Sequence, residues 1–329
     1  MAYEAELSAA IDAVEKASRL CEAVQRRLVA GSALEKGDRS PVTVADFGAQ
    51  AVVSQLLALE FPHDPLVGEE DADALRQDSN AELRGKVIDG VHSILPDLSG
   101  DEILAAIDRG TYSGGATGRH WTLDPIDGTK GFLRLDQYAV ALALIEDGEV
   151  VLGVLGCPNL PHDAERPDAG RGCLFWGVEG SGARWRPIGG DTTAPIFVDE
   201  VTEPGRARFC ESVEVAHSNQ SHSAQVAARL GITRPPFRID SQCKYAAVGR
   251  GDASIYLRLP TRADYVEKIW DHAAGFRVVT EAGGRVTDVT GAPLDFSLGR
   301  TLSSNKGVIV TNGPMHDRVL EAVQQVLGL

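Results

Sequence analysis

Two apolar runs separated by an Asp-Gly pair place the firmest constraint on the fold. The runs cover residues 138–145 and 150–155, and the pair is Asp147 and Gly148. Asp-Gly between two strand-forming runs is the strongest short-range signal of a β-hairpin. The first half of the chain is therefore predicted to contain antiparallel strands.

The spacing of apolar residues predicts the remaining elements. The expected helices cover residues 7–28, 47–59, 221–230, 270–281 and 315 onwards. The other expected strands cover residues 66–67, 120–123, 173–176, 183–186, 213–216, 252–257 and 307–311. Strands and helices alternate only after Pro204. We therefore predict an N-terminal α+β domain over residues 1–200 and a C-terminal α/β domain over residues 201–329.

The charge balance argues against two classes of partner. The chain has 329 residues, with 32 Lys and Arg against 47 Asp and Glu and a net charge of −15. Surfaces that bind nucleic acid polymers or anionic membranes need clustered Lys and Arg, so neither partner is expected. A small anionic ligand is compatible with this balance, because a bound divalent cation reverses the local sign of charge.

Cysteine usage and the N-terminal segment predict a cytoplasmic protein. The five cysteines are scattered and none lies in a Cys-x-x-Cys pair, which is typical of reduced thiols. The first residues lack the basic and apolar regions of a signal peptide. The longest strongly apolar run, residues 138–145, is far shorter than the ~20 residues of a membrane span.

A segment around two aspartates carries the clearest chemical signal. The apolar strand is expected to end at Asp124, since Pro125 prevents further ladder pairing, and Gly128 permits a tight turn. Asp127 and Thr129 then lie beside Asp124 at the end of a buried strand. Mg²⁺ prefers oxygen ligands and keeps room for waters and a substrate phosphate. The loop suits a magnesium site.

Other acidic positions have simpler interpretations as well. Residues 69–71 follow a second strand and could be a solvated charge run. Asp271 stands at the start of a helix of small residues and could be an N-cap. Asp46, three residues after Thr43, fits a helix capping box. Each of these interpretations stays open when its segment is considered alone.

In order and context, the acidic segments resemble the metal-binding motifs of the lithium-sensitive, magnesium-dependent inositol monophosphatase superfamily. Residues 36–43, 124–134 and 268–275 resemble the 3′(2′),5′-bisphosphate nucleotidase branch in particular. Inositol monophosphatases usually have Thr-Asn where this chain has Lys130 and Gly131. The resemblance covers nearly the whole chain and implies a two-domain, layered αβαβα sandwich of the sugar-phosphatase type.

The resemblance implies a paired-metal site. Glu69, Asp124 and the backbone carbonyl of Ile126 would hold one Mg²⁺. Asp124, Asp127 and Asp271 would hold a second, and a third, weaker ion would lie near Glu69. In such sites one metal generates and positions hydroxide while the other stabilises charge on the leaving oxygen.

The resemblance also implies a catalytic pair. The carboxylate of Asp46 would accept a hydrogen bond from Thr129, and the pair would orient and deprotonate the attacking water. A Thr hydroxyl is a poor base alone and needs a carboxylate partner to relay the proton. The amides of Gly128 and Thr129 would hold the phosphate that is cleaved.

Four positions in the second half are implied to bind a nucleotide: His217, Ser241, Lys244 and Arg258. Each alone is typical of a surface or capping group. Together they place positive charge beside the acidic residues, which suits an adenosine with a second phosphate that is not cleaved. The charge pattern and the resemblance thus agree.

These observations predict an enzyme that removes the 3′-phosphate of adenosine 3′,5′-bisphosphate to give AMP and phosphate. Such a reaction serves sulfur assimilation or nucleotide detoxification, with 3′-phosphoadenylyl sulfate as a further substrate, and the protein is expected to be a monomer. One alternative is an inositol phosphate phosphatase, and another is a non-catalytic sensor of the bisphosphate. No Gly-x-x-x-x-Gly-Lys-[Ser/Thr] loop is present, which argues against triphosphate hydrolysis.

Overall fold

The computed structural model describes residues 2–30, 40–213, 220–260, 262 and 265–329. The helices are α1 (Glu4–Ala30), α2 (Ser40–Glu60), α3 (Asp73–Arg76), α4 (Ala81–His92), α5 (Gly100–Asp108), α6 (Thr129–Leu133), α7 (Gln220–Leu230), α8 (Cys243–Gly249), α9 (Ala273–Glu281) and α10 (His316–Leu327). The strands are β1 (Leu66–Gly68), β2 (Arg119–Asp127), β3 (Ala139–Glu146), β4 (Glu149–Pro161), β5 (Arg171–Val178), β6 (Gly182–Pro187), β7 (Ala194–Pro195), β8 (Phe209–Glu211), β9 (Phe237–Arg238), β10 (Ile255–Arg258), β11 (Arg285–Thr287) and β12 (Val308–Thr311).

Two long helices cover one face of the first sheet. In α1 the buried side chains Val14, Ala17 and Cys21 recur every three or four residues, so they form one apolar face. This face packs on β3 and β4, and α2 packs against α1 and β2. Over Pro41–Glu60, α2 also has the length and composition of a membrane span, but most of this stretch is buried inside the protein. A helix buried in the core of a protein can have the same length and composition as a membrane span.

The first sheet contains the predicted hairpin. Within the described residues its strand order is β1-β2-β3-β4-β5-β6-β7, with β1 parallel to β2 and antiparallel pairing elsewhere. Asp147 and Gly148 join β3 to β4 with φ values of +50° and +84°. A two-residue turn with both φ values positive matches the right-handed twist of its strands. The hairpin prediction is confirmed.

The second sheet has the order β11-β12-β10-β8-β9 among the described residues. The expected strand over 213–216 lies mostly outside these residues, and the nearby strand is β8. The expected strand over 252–257 is shifted to Ile255–Arg258, because Asp252 lies in the turn that follows α8. The first sheet lies within residues 66–195 and the second within 209–311. The domain boundary at residue 200 stays a prediction.

Helices α8 and α9 form the layer between the two sheets. Helix α9 packs on β3, β4 and β5 of the first sheet and on β11 of the second. Its close approach requires glycine at Gly153, where a Cβ would lie 2.5 Å from the carbonyl oxygen of Ala274. Helix α10 packs on β12 and α7 on the far side. The layers therefore alternate helix, sheet, helix, sheet, helix, which confirms the predicted sandwich.

Candidate active site

A β-bulge places two aspartates on the same side of strand β2. Asp124 pairs with Ala141 and Asp127 with Ala139, so three steps along β2 oppose two steps along β3. Residues three apart on a regular strand face opposite sides of the sheet, and one extra residue reverses this alternation. The expectation that the strand ends at Asp124 is therefore wrong. Pairing is interrupted near Pro125 and resumes at Asp127.

A sharp turn after the bulge brings the second half of the chain close to the aspartates. Gly128 has a φ of +91°, a backbone conformation that residues with a side chain rarely adopt. A Cβ at this position would also lie 2.9 Å from the Cβ of Ser241. Glycine at residue 128 thus satisfies both the turn and the contact between the loop before α6 and the loop before α8.

One cavity of about 360 Å³ collects most of the predicted site residues. Its lining includes Glu69, Asp124, Ile126, Asp127, Gly128, Thr129, Ser241, Lys244, Arg258 and Asp271. Glu69 follows β1 and Asp271 lies in the turn before α9, while the others come from β2, β10, α6, α8 and the loops before these two helices. The site therefore draws on both sheets. His217 lies outside the described residues.

Asp271 is held by an arginine and does not cap a helix. Helix α9 begins at Ala273, and His272 occupies the N-cap position without a side-chain cap hydrogen bond. Asp271 lies in the preceding turn, where its Oδ2 accepts a hydrogen bond from Nη2 of Arg258 at 3.2 Å. The N-cap interpretation is wrong because the turn directs this carboxylate into the cavity.

Asp46 is buried within α2 and does not line the cavity. Since α2 already begins at Ser40, Thr43 lies inside the helix and the capping-box interpretation is wrong. Oδ1 of Asp46 is buried, and among the described residues it has no hydrogen-bond partner. Burial, together with the charges of Glu70 and Glu69, raises the pKa of Asp46 well above its usual range.

Thr129, the predicted partner of Asp46, is exposed at the start of α6. Helix α6 packs against α2. The hydrogen bond between the two side chains stays a prediction. Thr129 lines the cavity, whereas Asp46 is buried and is not part of its lining. The catalytic roles of both residues stay predictions.

The carboxylates at the cavity wall repel one another. Partial removal from water, together with the charges of Asp271 and Glu70, raises the pKa of Glu69 to about 7. Burial and Asp271 raise the pKa of Asp127 to about 6. The pKa of Asp124, which is 2% exposed, is raised well above its usual range by burial and by Glu69. Protons or a cation must neutralise this cluster.

The donor set fits a hard divalent cation. Oδ1 of Asp124 is buried and has no hydrogen-bond partner among the described residues. Further carboxylate oxygens from Glu69, Asp127 and Asp271 face the same cavity, and Ile126 also contributes to its lining. Oxygen ligands of this kind are those that Mg²⁺ prefers.

The cavity lining also includes two cationic side chains, Lys244 and Arg258. Lys244 is 5% exposed, and its Nζ lies 5.1 Å from the ring centroid of Tyr256. Burial lowers the pKa of Lys244, while the charge of Asp127 opposes this effect. Arg258 approaches from β10. Two cations facing a carboxylate cluster suit a ligand that carries more than one phosphate.

Gln242, which no sequence pattern indicates, links the two halves of the site. Its backbone N–H donates to Oδ2 of Asp127 at 2.6 Å. Its side-chain Nε2 donates to the carbonyl of Trp270, and its Oε1 accepts from the N–H of Gly275, both at 2.9 Å. Gln242 therefore fixes the Asp271 turn relative to Asp127. A single glutamine beside Ser241 gives no sequence signal for such long-range contacts.

The raised pKa values predict how magnesium stabilises the protein at different pH values. Protons compete with metal for Glu69 and Asp127, whose pKa values rise from 4.5 to about 7 and from 3.8 to about 6. The melting-temperature increase caused by Mg²⁺ should therefore be small at pH 5, should grow to pH 7 and should then level off. Differential scanning fluorimetry with Mg²⁺ or EDTA at each pH measures this increase.

The difference in melting temperature between Mg²⁺ and EDTA cancels the pH effects of titratable groups outside the site. The pKa of His316 is lowered to about 4 by burial, which makes folding more favourable as pH rises in both conditions. Potassium chloride at matched ionic strength controls for screening. A magnesium effect that is constant from pH 5 to pH 8 would show that these carboxylates do not bind the metal.

Comparison with known proteins decides the family. A model described as the inositol monophosphatase family matches residues 2–327. The chain belongs to this family. The family is metal-dependent, in agreement with the carboxylate cluster.

Family members of known structure share the fold. An inositol monophosphatase from Anabaena superposes with a TM-score of 0.64 at 20% identity, covering 99% of this chain and 97% of that chain. One from Zymomonas mobilis superposes with a TM-score of 0.66 at 21% identity, covering 98% and 99%. At this level of identity the likeness concerns the fold alone.

Curated family members of higher identity carry a different name. A 3′(2′),5′-bisphosphate nucleotidase from Schizosaccharomyces pombe is 46% identical over 343 residues, covering 99% of this chain and 97% of that protein. One from Oryza sativa is 47% identical over 341 residues, covering 99% and 95%. Both alignments span the cavity and the segments predicted to form it.

Proposed function

We propose that this member of the inositol monophosphatase family is a magnesium-dependent 3′(2′),5′-bisphosphate nucleotidase. It removes the 3′-phosphate of adenosine 3′,5′-bisphosphate to give AMP and phosphate. The observation that carries the proposal is a cavity lined both by the carboxylates and by Lys244 and Arg258. The names of relatives that are 46% and 47% identical support the same substrate.

Two magnesium ions, with a third near Glu69, are part of the proposal. The residues that would hold the pair are Glu69, Asp124, Ile126 through its carbonyl, Asp127 and Asp271. When bound, the metals would supply an activated water and charge stabilisation at the leaving oxygen. The chain itself contributes a preorganised set of oxygens, since Gln242 fixes Asp127 and the turn that carries Asp271.

The remaining residues bind the substrate and move a proton. Asp46 and Thr129 orient the attacking water, and the Thr129 hydroxyl relays the proton of this water to Asp46. Burial raises the pKa of Asp46, so its carboxylate is a stronger base than an exposed one. Ser241, Lys244 and Arg258 bind the nucleotide and its second phosphate, with His217 as a further contact in the same role.

The substrate range and cellular context complete the proposal. 3′-Phosphoadenylyl sulfate has the same 3′-phosphate and a second anionic group, so it is a further substrate. We also propose a monomer in the cytoplasm that acts on small nucleotides in sulfur metabolism.

A phosphate-release assay tests the proposed substrate. Adenosine 3′,5′-bisphosphate, 3′-phosphoadenylyl sulfate and inositol 1,4-bisphosphate are compared at equal concentration, with Mg²⁺ or with EDTA. We expect the highest kcat/KM on the adenosine bisphosphate and no release in EDTA. Preference for the inositol substrate would identify an inositol phosphate phosphatase. Tight binding of the bisphosphate without release would identify a sensor.

A further inference from the structure

Arg258 is shared between two carboxylates at the edge of the cavity. Its Nη2 lies 2.8 Å from Oε2 of Glu267 and 3.2 Å from Oδ2 of Asp271. The same nitrogen donates to the hydroxyl of Tyr265 at 3.1 Å. The position of Arg258 therefore depends on the relative strength of its attraction to Glu267 and to Asp271.

The two carboxylates have different second partners. Asp271 belongs to the cluster that would hold the metals, so a bound cation competes with Arg258 for its charge. Glu267 is 5% exposed and its carboxylate faces Arg258 and His272. Burial opposes its ionisation, but the hydrogen bond from His272 and the charge of Arg258 lower the pKa of Glu267 below its usual range. Glu267 is thus the carboxylate that can hold Arg258 when Asp271 is engaged.

A buried chain of hydrogen bonds fixes Glu267. His272, which is fully buried, has its Nε2 at 3.1 Å from Oε2 of Glu267. Its Nδ1 lies 2.7 Å from the hydroxyl of Tyr245 on α8. A neutral imidazole satisfies both contacts, with Nε2–H donating to the carboxylate and Nδ1 accepting from the tyrosine. Such a chain locks the carboxylate rotamer in front of the arginine.

We propose that Glu267 is a positioning residue that aims the Arg258 guanidinium at the uncleaved phosphate and keeps it away from Asp271. This proposal rests on the proposed function for the identity of the substrate. Without the charge of Glu267, the guanidinium pairs with the remaining carboxylate of Asp271. It then leaves the phosphate-binding wall and competes with the metal for that carboxylate. One change therefore weakens substrate binding and metal binding together.

A double-mutant cycle tests the coupling between Glu267 and Arg258. Glu267→Gln keeps the size of the side chain and removes its charge. We expect this variant to raise the KM for adenosine 3′,5′-bisphosphate about tenfold and to change kcat less than threefold. In an Arg258→Ala background, Glu267→Gln should have no further effect on KM. Equal effects of Glu267→Gln in both backgrounds would overturn the proposal, because Glu267 would then act independently of Arg258.

A substrate without the second phosphate tests whether Glu267 acts through the contact between Arg258 and that phosphate. The KM for 3′-AMP should rise less than threefold in Glu267→Gln, since no 5′-phosphate is present for Arg258 to bind. A tenfold increase on both substrates would contradict an action through the uncleaved phosphate. Asp252→Asn serves as the matched control, because Asp252 forms another partly buried ion pair, with Arg250 at 2.6 Å. It should leave both KM values unchanged.

Magnesium binding gives a readout that does not depend on turnover. In a substrate-free thermal-shift titration, Glu267→Gln should need several-fold more Mg²⁺ than the wild type for half-maximal stabilisation. Glu267→Gln combined with Arg258→Ala should restore the wild-type requirement. An unchanged requirement in the single variant would refute competition for Asp271. Because this titration uses no substrate, it tests the role of Glu267 even if the substrate proposed above is wrong.

A milder variant keeps the test valid if Glu267→Gln does not fold. Tyr245→Phe removes only the hydroxyl that contacts His272 and leaves the ring in place. It should raise the KM for the bisphosphate two- to fivefold and the KM for 3′-AMP less. A folded Tyr245→Phe protein with wild-type KM on both substrates would exclude the hydrogen-bonded chain as the means of fixing Glu267.

Discussion

Asp127→Asn should abolish most of the activity and leave the metal-free protein at least as stable as the wild type. The loss is expected to reach about 10³-fold in kcat, because a neutral amide replaces a carboxylate that faces the metals. Asparagine can still accept the hydrogen bond from the N–H of Gln242. Without metal, the variant removes one charge from a cluster in which Asp271 raises the pKa of Asp127. Its melting temperature in EDTA should therefore equal or exceed that of the wild type.

Two measurements separate a metal ligand from a structural residue. The stabilisation by saturating Mg²⁺ should shrink in Asp127→Asn, whereas the melting temperature in EDTA should not fall. Asp163→Asn is the control, since Asp163 is paired with Arg166 at 2.8 Å outside the cavity. It should leave kcat and the magnesium effect unchanged. Near wild-type turnover of Asp127→Asn at saturating Mg²⁺ would show that the carboxylate holds no essential ion.

Local sequence patterns predicted the elements that place the carboxylates. The Asp147 turn, the strand before Glu69 and residues 47–59 of α2 follow from turn chemistry and apolar periodicity, which depend on neighbouring residues. The first turns of α2, which contain Asp46, lie outside the predicted helix. The layered sandwich was predicted from the family resemblance, and the alternation of sheets and helices confirms it. The turn, the strand and the helix need no knowledge of distant contacts, whereas the sandwich could be predicted only through the resemblance.

Long-range contacts account for what the sequence did not predict. Pro125 in a strand suggests an end to pairing, but β3 supports a bulge that continues β2 to Asp127. Glu267 becomes part of the site only because β10 places Arg258 beside it. Gln242 reaches Asp127 across a separation of 115 residues. A local sequence pattern carries no information about partners so far away in the sequence.

Asp46→Asn should lower kcat about 10²- to 10³-fold while the protein folds normally. The amide can accept a hydrogen bond but takes up no proton, and general-base catalysis contributes on the order of 10²–10⁴ in rate. Asp46 is buried and its pKa is raised by burial, so removing its charge should not lower the melting temperature. KM should change little, because Asp46 does not line the cavity. Steady-state kinetics and thermal melting of the same preparation give these quantities.

The partner of Asp46 provides the second half of this test. Thr129→Ser retains the hydroxyl and should retain activity within about threefold, whereas Thr129→Val should lose as much as Asp46→Asn. If the pair acts as one unit, combining Asp46→Asn with Thr129→Val should cost no more than either change alone. Ser54→Ala in α2 is the control, because its buried hydroxyl has no hydrogen-bond partner in the described part of the chain and lies outside the cavity. Additive losses from the two changes would show that Asp46 and Thr129 act separately.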